Sequence, residues 1–141
     1  MSTWIKIFTA INAFVFRKTK GRLGNKMGKQ SVLLLHTVGR KSGKAYTTPL
    51  SFYRDGNNYL VVASNWGKEN NPSWYQNLLQ KSHTSIQVGS ATIFVEARPA
   101  KGEEYPRLWE LVTRQNEQYL KYQKELSRQI PIMVLIPTAT T

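Results

Sequence analysis

The chain contains no cysteine. This absence excludes disulfide bonds, thiolate metal ligands and thiol nucleophiles, and it fits a protein of a reducing compartment. Histidine is scarce as well: only His36 and His83 occur, and neither stands near a cluster of acidic residues. We therefore predict no metal site and no catalytic triad. If the protein is an enzyme, a bound cofactor supplies the reactivity.

Long apolar runs are also missing, since none approaches the ~20 residues that span a bilayer. The first fifteen residues have neither the basic start nor the small-residue cleavage site of a secretory signal. These features predict a cytoplasmic protein, and peripheral contact with the inner face of the membrane stays open. A length of 141 residues with 40% hydrophobic content indicates one folded domain.

Acidic residues are few, with 8 Asp and Glu against 20 Lys and Arg, so the formal net charge is +12. Such an excess favours an anionic partner, which could be a phosphate-bearing cofactor, an anionic lipid or a nucleic acid. The cations are scattered along the chain, and runs of aromatic residues typical of single-strand binding are not evident. We expect no nucleic-acid partner, while the sequence leaves the oligomeric state open.

The apolar pattern predicts an α+β protein. Thr3 to Phe16 has the spacing of an amphipathic helix with a basic end, so residues 1–30 are predicted as helix and basic loop. Residues 31–141 are predicted to form about six short, mostly antiparallel strands, with hairpin turns at Asp55-Gly56-Asn57-Asn58 and Gly89-Ser90. A short helix begins at Pro72, and one long helix runs from about Glu103 to Arg128. Pro49 must sit at a strand edge or bulge.

The segment Gly39-Arg40-Lys41-Ser42-Gly43 is a basic turn. Exposed backbone N–H groups together with Arg and Lys suit a phosphate, although the glycine spacing is not that of a P-loop. An ordinary solvated hairpin turn is the alternative.

Two further segments are candidates. Ala63 to Gly67 leaves a strand and leads to the helix start at Asn71 to Tyr75, an arrangement that can hold a planar ring and an anion. The alternative is a plain connection with Trp74 in the core. Tyr119 and Tyr122 lie three residues apart, which places them on one helix face. They could line a substrate pocket or donate a proton to a reduced product, and the alternative is that they pack against a sheet.

Several of these segments, taken in order, resemble the deazaflavin-dependent nitroreductases. The resemblance is carried by Leu35 to Gly43, Thr48-Pro49-Leu50, Val62-Ala63-Ser64, Asn71 to Leu78 and Ile130-Pro131-Ile132. It implies a split β-barrel, as in flavin-binding oxidases, and hydride transfer from reduced coenzyme F-420 to a quinone or a nitroaromatic compound. The N-terminal helix also has a counterpart there, linked to membrane-resident quinones.

The resemblance further implies which residues form the site. Catalytic roles fall to Ser64, Tyr119 and Tyr122. Cofactor binding falls to Gly39, Arg40, Lys41, Ser42, Gly43, Pro49, Ala63, Ser64, Asn65, Asn71, Trp74 and Tyr75. The chain departs from the family pattern at Asn65-Trp66, at Gln115-Asn116 and at Ser51. An FMN-binding reductase of the same fold, or a non-catalytic protein that binds an anionic ligand or lipid, remains the alternative.

Overall fold

A computed structural model describes residues 31–138 of the chain. The predicted N-terminal helix and basic loop, residues 1–30, lie outside the described residues. The strands are β1 (Ser31–Val38), β2 (Ala45–Asp55), β3 (Asn58–Val62), β4 (His83–Val88), β5 (Ala91–Pro99) and β6 (Ile132–Pro137). The helices are α1 (Ser73–Gln80), α2 (Glu104–Gln115) and α3 (Gln118–Glu125), and a short 3-10 turn covers Asn65–Gly67.

The six strands close into a barrel in the order β1-β2-β3-β6-β5-β4, and all neighbouring pairs are antiparallel. Both predicted hairpins are present, joining β2 to β3 and β4 to β5. The pairing of β2 with β3 covers only Tyr53 to Asp55, so Pro49 lies where β2 pairs with β1 alone. The barrel confirms the predicted fold class.

Alternate residues of the strands enter two separate hydrophobic cores. In β3, Tyr59 and Val61 belong to the barrel interior, whereas Leu60 and Val62 belong to an outer core. This division follows from the two-residue period of a strand. Helix α1 adds side chains to the interior, and α2 and α3 cover the outer core.

One prediction was wrong in detail: the long helix expected from Glu103 to Arg128 is two helices. The backbone of Asn116 is extended, with φ −149° and ψ 98°, between α2 and α3. Its side-chain Oδ1 accepts a hydrogen bond from the backbone N–H of Gln118 at 3.1 Å. Asparagine competes for backbone groups in this way and so interrupts helices. Across residues 31–138, no helix is long and apolar enough to span a membrane.

Candidate active site

A basic cavity of about 420 Å³ opens between the end of β1, the start of β2 and the first turns of α1. Its walls combine two cations with hydroxyl groups and one indole ring. The lining residues are Thr37, Gly39, Arg40, Lys41, Ser42, Tyr46, Thr48, Ser73, Trp74 and Asn77. Four of the five residues of the predicted basic turn therefore line this cavity.

The turn that forms one wall is held by its own backbone. The N–H of Gly39 donates to the carbonyl of Lys44 at 2.8 Å, and the N–H of Gly43 donates to the carbonyl of Gly39 at 2.9 Å. A Cβ atom on residue 39 would lie 2.7 Å from Ser42 Oγ and from a Tyr46 ring carbon. The close approach of these side chains explains why residue 39 is glycine.

Asn77 orients Arg40 and was missed by the sequence analysis. Its side chain is only 4% exposed, and its Oδ1 accepts hydrogen bonds from the backbone N–H of Arg40 at 3.1 Å and from Nη1 at 2.9 Å. An available signal was its position beside Trp74 and Leu78, where helical spacing places a polar residue on an apolar face. The partnership with Arg40 spans 37 positions, so only the fold reveals it.

The buried hydroxyl of Thr37 bears on whether this cavity suits an anionic cofactor. Its Oγ1 is buried and has no hydrogen-bond partner within the described part of the chain. Buried hydroxyls are normally paired, and a ligand is one explanation for an exception. A hydroxyl donor beside Arg40 and Lys41 is the donor set that a phosphate requires. The residues present therefore fit the phosphate-bearing end of a cofactor.

A second cavity of about 660 Å³ adjoins the first, because Thr48 and Trp74 line both. It is lined by neutral side chains from four separate segments. They are Thr48, Pro49, Leu50, Ser51, Val62, Ser64, Asn65, Trp66, Pro72, Trp74, Asn116, Gln118, Tyr119 and Tyr122. A charged groove and a neutral groove thus meet at one tryptophan and one threonine.

Both predicted tyrosines reach the neutral cavity, but their environments differ. Tyr119 is 8% exposed, and its hydroxyl lies 3.1 Å from that of Tyr53. Burial, with a smaller contribution from Tyr53, raises the pKa of Tyr119 well above its usual range. Tyr119 therefore stays protonated over the ordinary pH range. The ring of Tyr122 instead packs closely against Gly67.

The loop between β3 and α1 has an unusual backbone. Asn65 and Trp66 have φ values of 50° and 58°, and Gly67 follows with φ 82°. For a bulky residue such as tryptophan this left-handed conformation costs about 1–3 kcal/mol and persists only where the surroundings enforce it. The Trp66 side chain is 82% exposed.

Comparison with known proteins places this geometry in a family. The sequence profile of the F420H(2)-dependent quinone reductases matches residues 8–137. The chain belongs to this family. An F420H(2)-dependent quinone reductase of Mycobacterium tuberculosis strain H37Rv is 41% identical over 125 residues, which cover 86% of this chain and 84% of that protein. The family is one of oxidoreductases, and the expectation of an enzyme is confirmed.

Solved structures agree on the barrel. An F420-H2 dependent reductase, FDR-A, superposes with a TM-score of 0.68 at 33% identity, covering 74% of this chain and 92% of that one. A second structure, described as a domain-swapped dimer, gives a TM-score of 0.70 at 28% identity, covering 89% of this chain and 96% of that one. FDR-A confirms the family resemblance seen in the sequence, and the second structure agrees on the fold. Neither comparison supports FMN as the cofactor.

The predicted site residues divide into those that line a cavity and those that do not. Most line at least one of the two cavities, and Trp74 lines both while also packing in the barrel core. Four do not line either cavity, namely Gly43, Ala63, Asn71 and Tyr75. These four support the turn, the core or the loop, and their assignment to cofactor binding stays a prediction. His36 is hydrogen-bonded to Thr47 at 2.9 Å, as expected for a structural residue.

Proposed function

We propose that the chain reduces a quinone with reduced coenzyme F-420, held across the two adjoining cavities. The observation that carries the proposal is the junction at Thr48 and Trp74 between a basic cavity and a neutral one. A cofactor with an anionic tail and a planar ring needs that succession of environments. The family assignment independently supports F-420-dependent quinone reduction.

The basic cavity would hold the phosphate of the cofactor. Arg40 and Lys41 would supply the charge, and Thr37 would gain the hydrogen-bond partner that its buried hydroxyl lacks in the described residues. Asn77 fixes the backbone and the guanidinium of Arg40, so that little side-chain freedom is lost on binding. The positive charge of the chain would also speed the encounter with an anionic cofactor.

The neutral cavity would hold the deazaflavin ring and the acceptor. Bound reduced F-420 would supply a hydride, and the acceptor must also gain a proton to become a quinol. Tyr53 and Tyr119 share one hydrogen bond, and when Tyr53 is its donor, the hydroxyl proton of Tyr119 is free to bond an acceptor oxygen in the cavity. Because the pKa of Tyr119 is raised, this role is polarisation of the acceptor, and the proton comes from solvent.

A neutral acceptor fits a cavity lined by neutral side chains. A quinone meets that condition, and nitroaromatic reduction stays a prediction from the resemblance. Peripheral contact of residues 1–30 with a membrane, where apolar quinones reside, also stays a prediction.

The test is a fluorescence titration of the protein with F-420 and, separately, with FMN. We expect saturable F-420 binding that weakens at least about 100-fold in the double variant Arg40→Ala/Lys41→Ala, since each charge-assisted hydrogen bond contributes about 1.5–3 kcal/mol. The control double variant Lys101→Ala/Arg114→Ala removes two cations outside both cavities and should bind as the parent does. Preference for FMN, or no binding of either cofactor by folded protein, would contradict the proposal.

A further inference from the structure

Arg128 directs its whole guanidinium group at one loop. Nη2 donates to the carbonyl oxygens of Ser64 at 2.9 Å and Lys68 at 2.8 Å, and Nε donates to the same Lys68 carbonyl at 3.1 Å. Nη1 donates to the carbonyl of Ala63 at 3.2 Å and to Asn71 Oδ1 at 2.8 Å. The planar fork of arginine suits such simultaneous bonds, which the single ammonium of lysine does not reproduce.

The bonds from Arg128 bracket the left-handed turn. The carbonyls of Ser64 and Lys68 stand on either side of residues 65–67, so Arg128 ties together both ends of the unfavourable backbone. A second link, from Ser127 Oγ to Glu69 Oε1 at 2.9 Å, joins the same two segments. Nothing in the local sequence favours a left-handed tryptophan, and the restraint from Arg128 accounts for it.

Burial within the protein contributes little to the stability of the Trp66 conformation. Its side chain is 82% exposed, although it lines the neutral cavity together with Tyr122. The Tyr122 ring leaves no room for a Cβ on residue 67, where the added atom would lie 2.8 Å away. The turn therefore fits against Tyr122 while presenting a large aromatic ring to solvent at the cavity wall. The exposed ring of Trp66 is therefore accessible to a ligand in the cavity.

We propose that Trp66 is a specificity-determining residue that stacks on a planar, apolar acceptor, and that Arg128 is the positioning residue that holds it there. The inference rests on the proposed function for the identity of the acceptor as a quinone. Stacking favours fused-ring quinones over single-ring ones, because offset stacking and apolar burial grow with ring area. Arg128 acts through the loop backbone.

The first experiment measures steady-state kinetics with a short-chain naphthoquinone and a short-chain benzoquinone. We expect Trp66→Ala to raise KM for the naphthoquinone about tenfold, with a smaller rise for the benzoquinone, as loss of one stacking partner implies. The Kd for F-420 should stay within about twofold, and Trp66→Phe should restore most of the loss. Equal changes for both quinones would overturn the assignment of Trp66.

Arg128→Ala should raise KM for the naphthoquinone, as Trp66→Ala does. Guanidinium added to the buffer should partly restore the parent KM, whereas Arg128→Lys should not restore it. The matched control is Arg107→Ala, which removes another forked arginine, bonded to Asp55 at 2.9 Å. Arg107 lines neither cavity, so its variant should keep the parent KM. An Arg128→Ala variant with the KM of the parent would overturn the positioning role.

A spectroscopic readout separates this inference from the proposed function. The chain has four tryptophans, and in 5-fluorotryptophan-labelled protein the ¹⁹F resonance absent from Trp66→Phe identifies Trp66. We expect the naphthoquinone alone to shift that resonance, and Arg128→Ala to narrow it and remove the response. If the protein does not bind F-420, the proposed function fails, while a naphthoquinone-dependent shift still supports the stacking site. No shift in the parent protein overturns it.

Discussion

The basic cavity and the neutral cavity touch, yet the chain builds them differently. One wall of the basic cavity is a continuous turn, Gly39 to Ser42, whose backbone–backbone hydrogen bonds are local. The neutral cavity collects β2, the loop after β3, the start of α1 and the bend between α2 and α3. Local sequence is therefore enough to suggest an anion site, whereas the proposed acceptor site forms only after the barrel closes.

The two cavities also differ in charge. Arg40 and Lys41 line the first, while the second has only neutral side chains in its lining. In the proposed function, the first cavity recognises an anionic cofactor and the second accommodates a neutral acceptor. Substitutions in one cavity should consequently change one binding constant and spare the other.

The largest expected contrast compares two glycines, each in a turn whose neighbouring residue lines one of the cavities. In Gly67→Ala, φ is 82° and the new Cβ would lie 2.8 Å from the Tyr122 ring; in Gly43→Ala, φ is 72° and the Cβ enters open space. We expect losses of unfolding free energy of about 2–4 and about 1–2 kcal/mol respectively, since only the first adds a clash to the backbone strain. Urea denaturation measures both, and equal losses would show that the Tyr122 contact is not a constraint.

The same two variants should affect different ligands. Gly67→Ala should raise KM for the quinone, and Gly43→Ala should weaken F-420 binding, each leaving the other quantity near its parent value. Steady-state kinetics and F-420 titration of both variants measure these quantities. A change of F-420 affinity in Gly67→Ala, or of quinone KM in Gly43→Ala, would contradict the prediction.

A moderate effect is expected from Asn77→Ala. The change removes the oxygen that accepts two hydrogen bonds from Arg40 and leaves the backbone N–H of Arg40 unpaired. The expected cost is about 1–3 kcal/mol in unfolding free energy. Binding of F-420 should weaken about tenfold because Arg40 is no longer oriented. The control is Gln80→Ala, an exposed amide on the same helix. Unchanged F-420 affinity in a folded Asn77→Ala protein would rule out the orienting role.

The smallest effect is expected from Tyr119→Phe. Loss of the hydroxyl contact with Tyr53 should lower the unfolding free energy by about 0.5–1.5 kcal/mol, and a cycle with Tyr53→Phe should recover a coupling of similar size. Quinone turnover should fall while F-420 binding stays constant. Unchanged turnover would remove Tyr119 from acceptor polarisation.

The raised pKa of Tyr119 adds a pH dependence. The unfolded chain releases this proton near the ordinary tyrosine value of 10.0, whereas the folded protein retains it to higher pH. The native state then binds more protons, so stability falls as pH rises above about 10. Thermal denaturation across that range should show a shallower decline in Tyr119→Phe than in the parent protein.

Much of the fold followed from local patterns. Alternating apolar residues and the turn at Asp55 to Asn58 predicted the strands, because strand period and turn chemistry depend on near neighbours. The succession of motifs predicted the family, and the comparisons confirmed it. The division of the long helix at Asn116 was missed, because apolar periodicity continues on both sides and the break depends on one side-chain bond.

The sequence by itself determined the strands and the basic turn, since each depends on residues close together in the chain. The resemblance carried by its motifs predicted the family and, with it, the barrel. Only the tertiary structure decided which residues support that turn and what forms the neutral cavity. Asn77 reaches Arg40 across 37 positions, and Arg128 reaches Ser64 across 64. Hydrogen bonds between such distant positions leave no periodic trace in the sequence, because their geometry arises only when the barrel has closed.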